Sequence, residues 1–409
     1  MFLRLRQQRG RTIAKQFRIL HIITRLIIGG AQENTLYSIW GANQHPNFKA
    51  DLLSGPGLGP EGEITNLCQE LQIEPIYLPL SRRNINPLYD LHTLLTYYQV
   101  IKKGNYDIVH THSSKAGILG RLAAKWAGVK VIVHTIHGLP FHPYQNWFFN
   151  QFYINLEKRV APFTDRLICV ADAMSEQAFK AGIAPREKFV TIRSGMRLQK
   201  FINPTGEREQ SRARLGLEPQ DIVIGKIARL FHLKGHKYLI EAFAQVARRN
   251  PRLRLMFAGD GILLERLQEQ ARRLGVLEKI IFLGLVSREE IPNAIAMMDI
   301  VVHASLREGL ARVIPQALAQ AKPLISFDVD GAKEVIHNHQ TGLLIPPQDV
   351  NALTRALEYL LAHPAEAADM GQAGQKLVQQ LFEVSTMNEQ IVNVYQGLLR
   401  QKGLWADEA

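Results

Sequence analysis

Cysteine is almost missing from this chain: Cys68 and Cys169 are the only two, far apart and without metal-ligand spacing. That excludes a disulfide framework and a structural zinc site and suits a reducing compartment, with both thiols read as small core hydrophobes. No apolar run reaches the ~18 residues needed to cross a bilayer. Acidic residues are absent from the opening MFLRLRQQRGRTIAKQFR, which holds six basic ones. No apolar h-region follows it, so the segment is not a secretory signal. It reads as a solvated tail or as a membrane-surface anchor with Phe2, Leu3, Leu5, Ile13 and Phe17 on one weak apolar face. Helix-turn-helix, zinc-finger and aromatic RNP patterns are also lacking. The net charge of +12 is scattered, which speaks against nucleic acid and for an anionic membrane surface or phosphorylated substrates.

What the chain does have is the composition of a soluble globular protein, 46% hydrophobic and 21% charged, over 409 residues. That length suits two domains of about 150–200 residues. Short apolar runs alternate with helix-like segments, the signature of doubly wound α/β units. The first set of strands is expected at Ile19–Ile23, Asp51–Leu53, Ile76–Leu78, Asp107–His110, Val129–His134 and Arg166–Val170. The second is expected at Ile222–Ile227, Arg254–Ala258, Ile280–Leu283, Ile300–His303, Pro323–Phe327 and Gly342–Ile345. Asn203-Pro204-Thr205-Gly206 reads as the connection between them, and a last amphipathic helix is expected over Met387–Leu399.

Tandem α/β units hold a shared ligand beyond the carboxyl ends of their strands. Three loops there stand out. Gly29-Gly30-Ala31-Gln32 follows the first strand and lets backbone approach an oxyanion at a helix start. Arg229 and Lys234 follow the first strand of the second set, placed to clamp a diphosphate or to serve as solvated surface cations. After Ile300–His303 comes Ser305-Leu306-Arg307-Glu308-Gly309-Leu310-Ala311-Arg312-Val313-Ile314-Pro315-Gln316. Here Pro315 fits a first helical turn, and the N–H groups of Gly309, Leu310 and Ala311 would face an anion. Glu308 would accept from sugar hydroxyls or merely complement the helix dipole, and Gln316 would bond a ribose.

Glu308 followed eight positions later by Gln316 resembles the E-x7-E element of family-4 retaining glycosyltransferases of the GT-B fold. Other pieces match in order: Gly29-Gly30-Ala31-Gln32, His110-Thr111-His112-Ser113, His134-Thr135-Ile136-His137-Gly138, Ser194-Gly195-Met196, Arg229 with Lys234, Ala258-Gly259-Asp260-Gly261, and Asp328-Val329-Asp330-Gly331. The likeness runs from about residue 18 to the C-terminus and is greatest to bacterial enzymes that build capsule, exopolysaccharide or O-antigen units.

The resemblance implies two Rossmann-like domains facing each other across a cleft. Residues 1–17 would be a basic extension, 18–202 the acceptor domain, 203–385 the nucleotide-sugar domain, and 386–409 a helix crossing back to the first domain. It implies Lys234 and Arg229 on the donor diphosphate, Glu308 on the donor sugar, Gln316 on the ribose in place of the family's glutamate, and Gly259 beside the donor. His137 is the best match for the active-site histidine, although His110, His112, His134 and His142 lie close in sequence. It further implies retention of configuration, a polyprenyl-diphosphate-linked or glycan acceptor, and a cytoplasmic setting, with the inner membrane face as an option.

No D-x-D stands in a metal-binding context, since Asp328-Val329-Asp330 occupies the family's loop before a helix. No metal or other cofactor is therefore expected, and leaving-group charge falls to Arg229, Lys234 and helix N–H groups. The alternatives are an epimerase of the same fold and a binding protein that has lost catalysis. A dinucleotide oxidoreductase lacks its G-x-G-x-x-G fingerprint here.

Overall fold

A computed structural model describes residues 15–57, 62–82 and 84–405. The basic segment 1–14, read above as tail or anchor, lies outside the described residues.

Among the described residues thirteen strands form two sheets, with every ladder between them parallel. The first sheet contains β1 (Phe17–Ile23), β2 (Phe48–Ser54), β3 (Pro75–Tyr77), β4 (Ile108–His112), β5 (Val131–Ile136), β6 (Arg166–Cys169) and β7 (Phe189–Thr191). Its order is β3-β2-β1-β4-β5-β6-β7. The second contains β8 (Ile222–Ile227), β9 (Leu253–Ala258), β10 (Ile280–Phe282), β11 (Ile300–His303), β12 (Leu324–Phe327) and β13 (Leu343–Ile345), in the order β10-β9-β8-β11-β12-β13.

Central strands such as Ile-Val-Val-His of β11 and Leu-Ile-Ser-Phe of β12 are buried along their whole length. Helices cover both faces, so continuous apolar runs replace the alternation of a half-exposed sheet. Chain order reverses between β1 and β4 in one sheet and between β8 and β11 in the other. These switch points open crevices at the carboxyl ends of the strands.

Local chemistry fixes the helices. Asn86 caps the helix Pro87–Gly104 by accepting from the N–H groups of Leu88 and Tyr89, with Pro87 at the first helical position. Asp349 caps Val350–Ala362 through the Ala352 N–H at 2.8 Å. Gly128, at φ 76°, ends the helix Ser114–Ala127.

Two boundaries differ from the sequence reading. Phe17, assigned there to the extension, opens β1, because its ring is buried and stacks on Trp405 at 5.4 Å. Met196, Leu198 and Phe201, assigned to the first domain, pack in the second domain's core with Val223 and Ile314. The last helix, Val384–Gln401, buries Met387, Ile391, Tyr395, Leu398 and Leu399 in the first domain's core beside Phe17, Tyr37 and Phe48. The chain thus crosses between domains twice. The crossings lie side by side, joined by the Met196 N–H to the Phe382 carbonyl at 2.8 Å.

Candidate active site

A cavity of about 1070 Å³ lies between the domains. From the second domain it receives the loop after β8, with Arg229 and Lys234, and the loop after β11, with Glu308 and Gly309. These are the two strands of the switch point, so residues 74 positions apart are brought face to face (234 against 308). From the first domain comes His137, one residue beyond β5.

Lys234 and Glu308 form an ion pair. Burial by itself would push the Glu308 carboxyl up. The Lys234 ammonium and the His303 imidazole, 3.8 Å away, outweigh burial and hold it well below the usual carboxylate range. Glu308 is therefore an anion aimed into the cleft, and its backbone N–H is fixed by Asp330 at 2.7 Å. Gly235, at φ 69°, makes the sharp turn behind Lys234, where a Cβ would fall 1.8 Å from the Ala304 carbonyl oxygen. Arg229 lies over the Phe231 ring at 4.9 Å, at the mouth of the same cavity.

Behind these groups sits Lys226 on β8, fully buried and without a hydrogen-bond partner for its Nζ among the described residues. Burial, with the Lys234 ammonium adding to it, lowers Lys226 to about 7 against a partial offset from Glu308. Sequence reasoning missed it, together with His303; a charged residue inside a buried strand was the available signal.

The remaining sequence-predicted residues fall in different places. Gly309 joins the cavity and touches the opposite domain: a Cβ there would meet the His137 carbonyl oxygen at 2.7 Å and Met174 Sδ at 2.8 Å. Leu310 packs into apolar clusters of both domains, and Ala311 is buried. Among the described residues no hydrogen bond occupies the N–H groups of Gly309, Leu310 and Ala311. Gln316 and Gly29 line a second, smaller interdomain cavity of about 180 Å³. There Glu33 bonds Arg312 at 2.9 Å and approaches Arg288 at 3.4 Å, while Arg288 donates to Tyr37 at 3.1 Å. Gly30 backs onto Arg312, and Gly259 packs against the Ala228 carbonyl. Of the neighbouring histidines, His142 lines the large cavity, whereas His110, His112 and His134 are buried in the first sheet. Among the described residues the one grouping with metal-ligand proximity is His21, His110 and His112, away from the cavity.

Comparison with known proteins then decides the family. Residues 51–200 match Glycosyltransferase Family 4, and residues 207–377 match the glycosyl transferases group 1. The chain is 32% identical over 299 residues to the UDP-Gal:alpha-D-GlcNAc-diphosphoundecaprenol alpha-1,3-galactosyltransferase of Escherichia coli, covering 72% of this chain and 76% of that protein. The chain belongs to the family 4 glycosyltransferases. A putative glycosyltransferase of Bacillus subtilis, EpsD, is 32% identical over 335 residues, 79% of this chain and 84% of its own. The fold of this glycosyltransferase superposes on a crystal structure of Anabaena HepE in complex with UDP and glucose. The TM-score is 0.80 at 23% identity, covering 93% of this chain and 99% of that one. The enzyme is accordingly a glycosyltransferase built on two Rossmann-like domains of the GT-B fold.

Proposed function

We propose that this glycosyltransferase moves a sugar from a nucleotide-diphosphate donor on its second domain to a polyprenyl-diphosphate-linked glycan on its first. Transfer proceeds with retention, without metal, in surface-polysaccharide synthesis at the cytoplasmic face of the membrane. The observation that carries this reading is the meeting of Lys234, Arg229 and Glu308 with His137 across one cavity.

Each group has a task in that chemistry. Lys234 and Arg229 take the diphosphate and absorb charge as the bond from the anomeric carbon to phosphate oxygen breaks. The vacant N–H groups at Gly309–Ala311 add donors to the same anion. Glu308, ionised and fixed, accepts from sugar hydroxyls. His137 meets the sugar from the opposite domain. The acceptor oxygen bonds to the anomeric carbon on the face the phosphate leaves, and its proton passes to that phosphate.

The lipid-linked acceptor rests on two supports. The Escherichia coli relative acts on a diphosphoundecaprenol sugar. In addition, Trp147, Phe148, Phe149 and Phe152 stand exposed at the start of the helix Trp147–Val160, with Trp147 on the cavity rim. Among the described residues no helix is long and apolar enough to cross a membrane, so contact with the bilayer would be at its surface.

The test is calorimetric titration with UDP, GDP, ADP and dTDP sugars in EDTA, repeated with Lys234→Ala. One nucleotide family should bind without metal and lose affinity in the variant. Binding of none by folded protein, or binding only after Mg²⁺ or Mn²⁺ is added, refutes the corresponding part of the proposal.

A further inference from the structure

The first sheet hides a continuous hydrogen-bonded file of side chains that ends at His137. Thr135 Oγ1 meets His110 Nε2 at 2.7 Å, and His110 Nδ1 meets the Tyr395 hydroxyl at 2.5 Å. That hydroxyl lies 3.3 Å from His21 Nε2. His21 Nδ1 meets His112 Nε2 at 3.0 Å, and His112 Nδ1 meets His137 Nε2 at 3.1 Å. Strand register builds it: β1 pairs with β4 so that His21 lies beside His110, and β4 pairs with β5 so that His112 lies beside Thr135. Tyr395 is contributed by the last helix, 378 residues after β1 begins (395 against 17). All members except His137 are buried, and His137 alone reaches the cavity.

Elementary valence makes this file directional. Burial keeps His21, His110, His112 and His137 neutral, and no carboxylate contributes to the field on any of them. A neutral imidazole offers one N–H and one acceptor nitrogen. Tyr395 has one proton and, among the described residues, only the two histidines to share it with. Each link needs one proton, and a Tyr395 oxygen that accepted from both histidines would strand its own proton in the core, so with every proton used all the links point the same way. The far end chooses the direction. Thr135 Oγ1 has His110 as its only hydrogen-bond partner among the described residues. Donating to His110 satisfies the hydroxyl, whereas the reverse polarity strands its proton in the core.

We propose that Thr135, His110, Tyr395, His21 and His112 form one polarised hydrogen-bond chain that fixes His137 as the Nδ1–H tautomer, making it a donor to the bound sugar. These five are positioning residues. The link to sugar transfer rests on the reading of His137 given under Proposed function; the tautomer does not. In the same geometry each ring nitrogen of the three histidines that sit within ligating distance of one another already has a hydrogen-bond partner: His21 bonds His112 and Tyr395, His110 bonds Tyr395 and Thr135, and His112 bonds His21 and His137.

The experiment is long-range proton–nitrogen correlation NMR on the full chain labelled with ring-¹⁵N histidine, with His137 assigned by its loss in His137→Gln. Wild type should show His137 protonated at Nδ1 and bare at Nε2. Tyr395→Phe, which keeps the ring, and Thr135→Val, which keeps the shape, should each release His137 into a mixture of both tautomers. Thr135→Ser should restore the single one. In Tyr395→Phe, kcat should fall about tenfold with little change in donor KM, the signature of one hydrogen bond lost in the transition state. A wild-type His137 protonated at Nε2, a tautomer untouched in both variants, or stoichiometric zinc in the purified protein would overturn the chain. If the tautomer responds while transfer does not, the chain stands and the placing of His137 on the sugar falls.

Discussion

Lys226 gives the sharpest prediction about stability. Its ammonium site is sealed within β8, and burial together with Lys234 lowers it from 10.5 to about 7. Between those values the unfolded chain binds a proton that the folded chain does not, so stability must rise with pH over that window. At ~1.4 kcal/mol per pH unit, holding Lys226 in the fold costs about 4 kcal/mol at pH 7 and about 2 kcal/mol at pH 9. Methionine has nearly the same volume and no charge, so Lys226→Met should gain about 2–4 kcal/mol at pH 7 after local relaxation takes its share. The rise in stability from pH 7 to pH 9 should be about 2 kcal/mol smaller in the variant than in wild type, the remainder coming from other buried groups such as Lys322. The assay is urea unfolding followed by far-UV circular dichroism at pH 7, 8 and 9. Tryptophan fluorescence is unsuitable, because Trp40, Trp126, Trp147 and Trp405 all belong to the first domain or pack on it. Equal pH slopes in the two proteins, or a variant less stable at pH 7, would refute the reasoning.

Glu308→Gln keeps the shape but removes the partner of Lys234, and single-turnover kinetics should show transfer slowed by about 10²-fold or more; unchanged turnover would remove Glu308 from the chemistry. Gly309→Ala puts a methyl against the His137 carbonyl, so domain approach should be hindered and kcat should fall while circular dichroism and donor affinity hold. Arg121 is fully buried and bonded to Glu157 at 2.7 Å, so Arg121→Met should strand that carboxylate and cost about 3–5 kcal/mol in urea unfolding. Turnover in EDTA should equal turnover in added Mg²⁺, measured by release of the nucleoside diphosphate.

Much of the fold was legible because its strands are short, apolar and set off by helices, a pattern that survives without knowing their partners. β7 escaped notice: Phe189–Thr191 is half-buried at a sheet edge and ends on a threonine between charged neighbours, Lys188 and Arg193, so no clear apolar run marks it. The lining of the candidate site was legible where polar residues follow a strand directly, as with Arg229, Lys234 and Glu308, which share one cavity. Lys226 offered only its charge within an apolar strand as a signal, and the depth of its burial depends on packing from other elements. The histidines show the same limit. His110 and His112 share one face of β4, but their pairing with His21 depends on strand register and with Tyr395 on the return of the last helix. Neither is written in local sequence.

That return has a consequence for synthesis. The ribosome releases the first domain's strands long before it makes Met387, Ile391 and Tyr395, which fill that domain's core. Until residue 399 has emerged, the nascent first domain lacks part of its own interior, whereas the second domain's core, ending at Phe382, is already whole. The later-made domain is thus the one equipped to fold first, and a chain cut near residue 200 would leave an apolar trough where the last helix belongs.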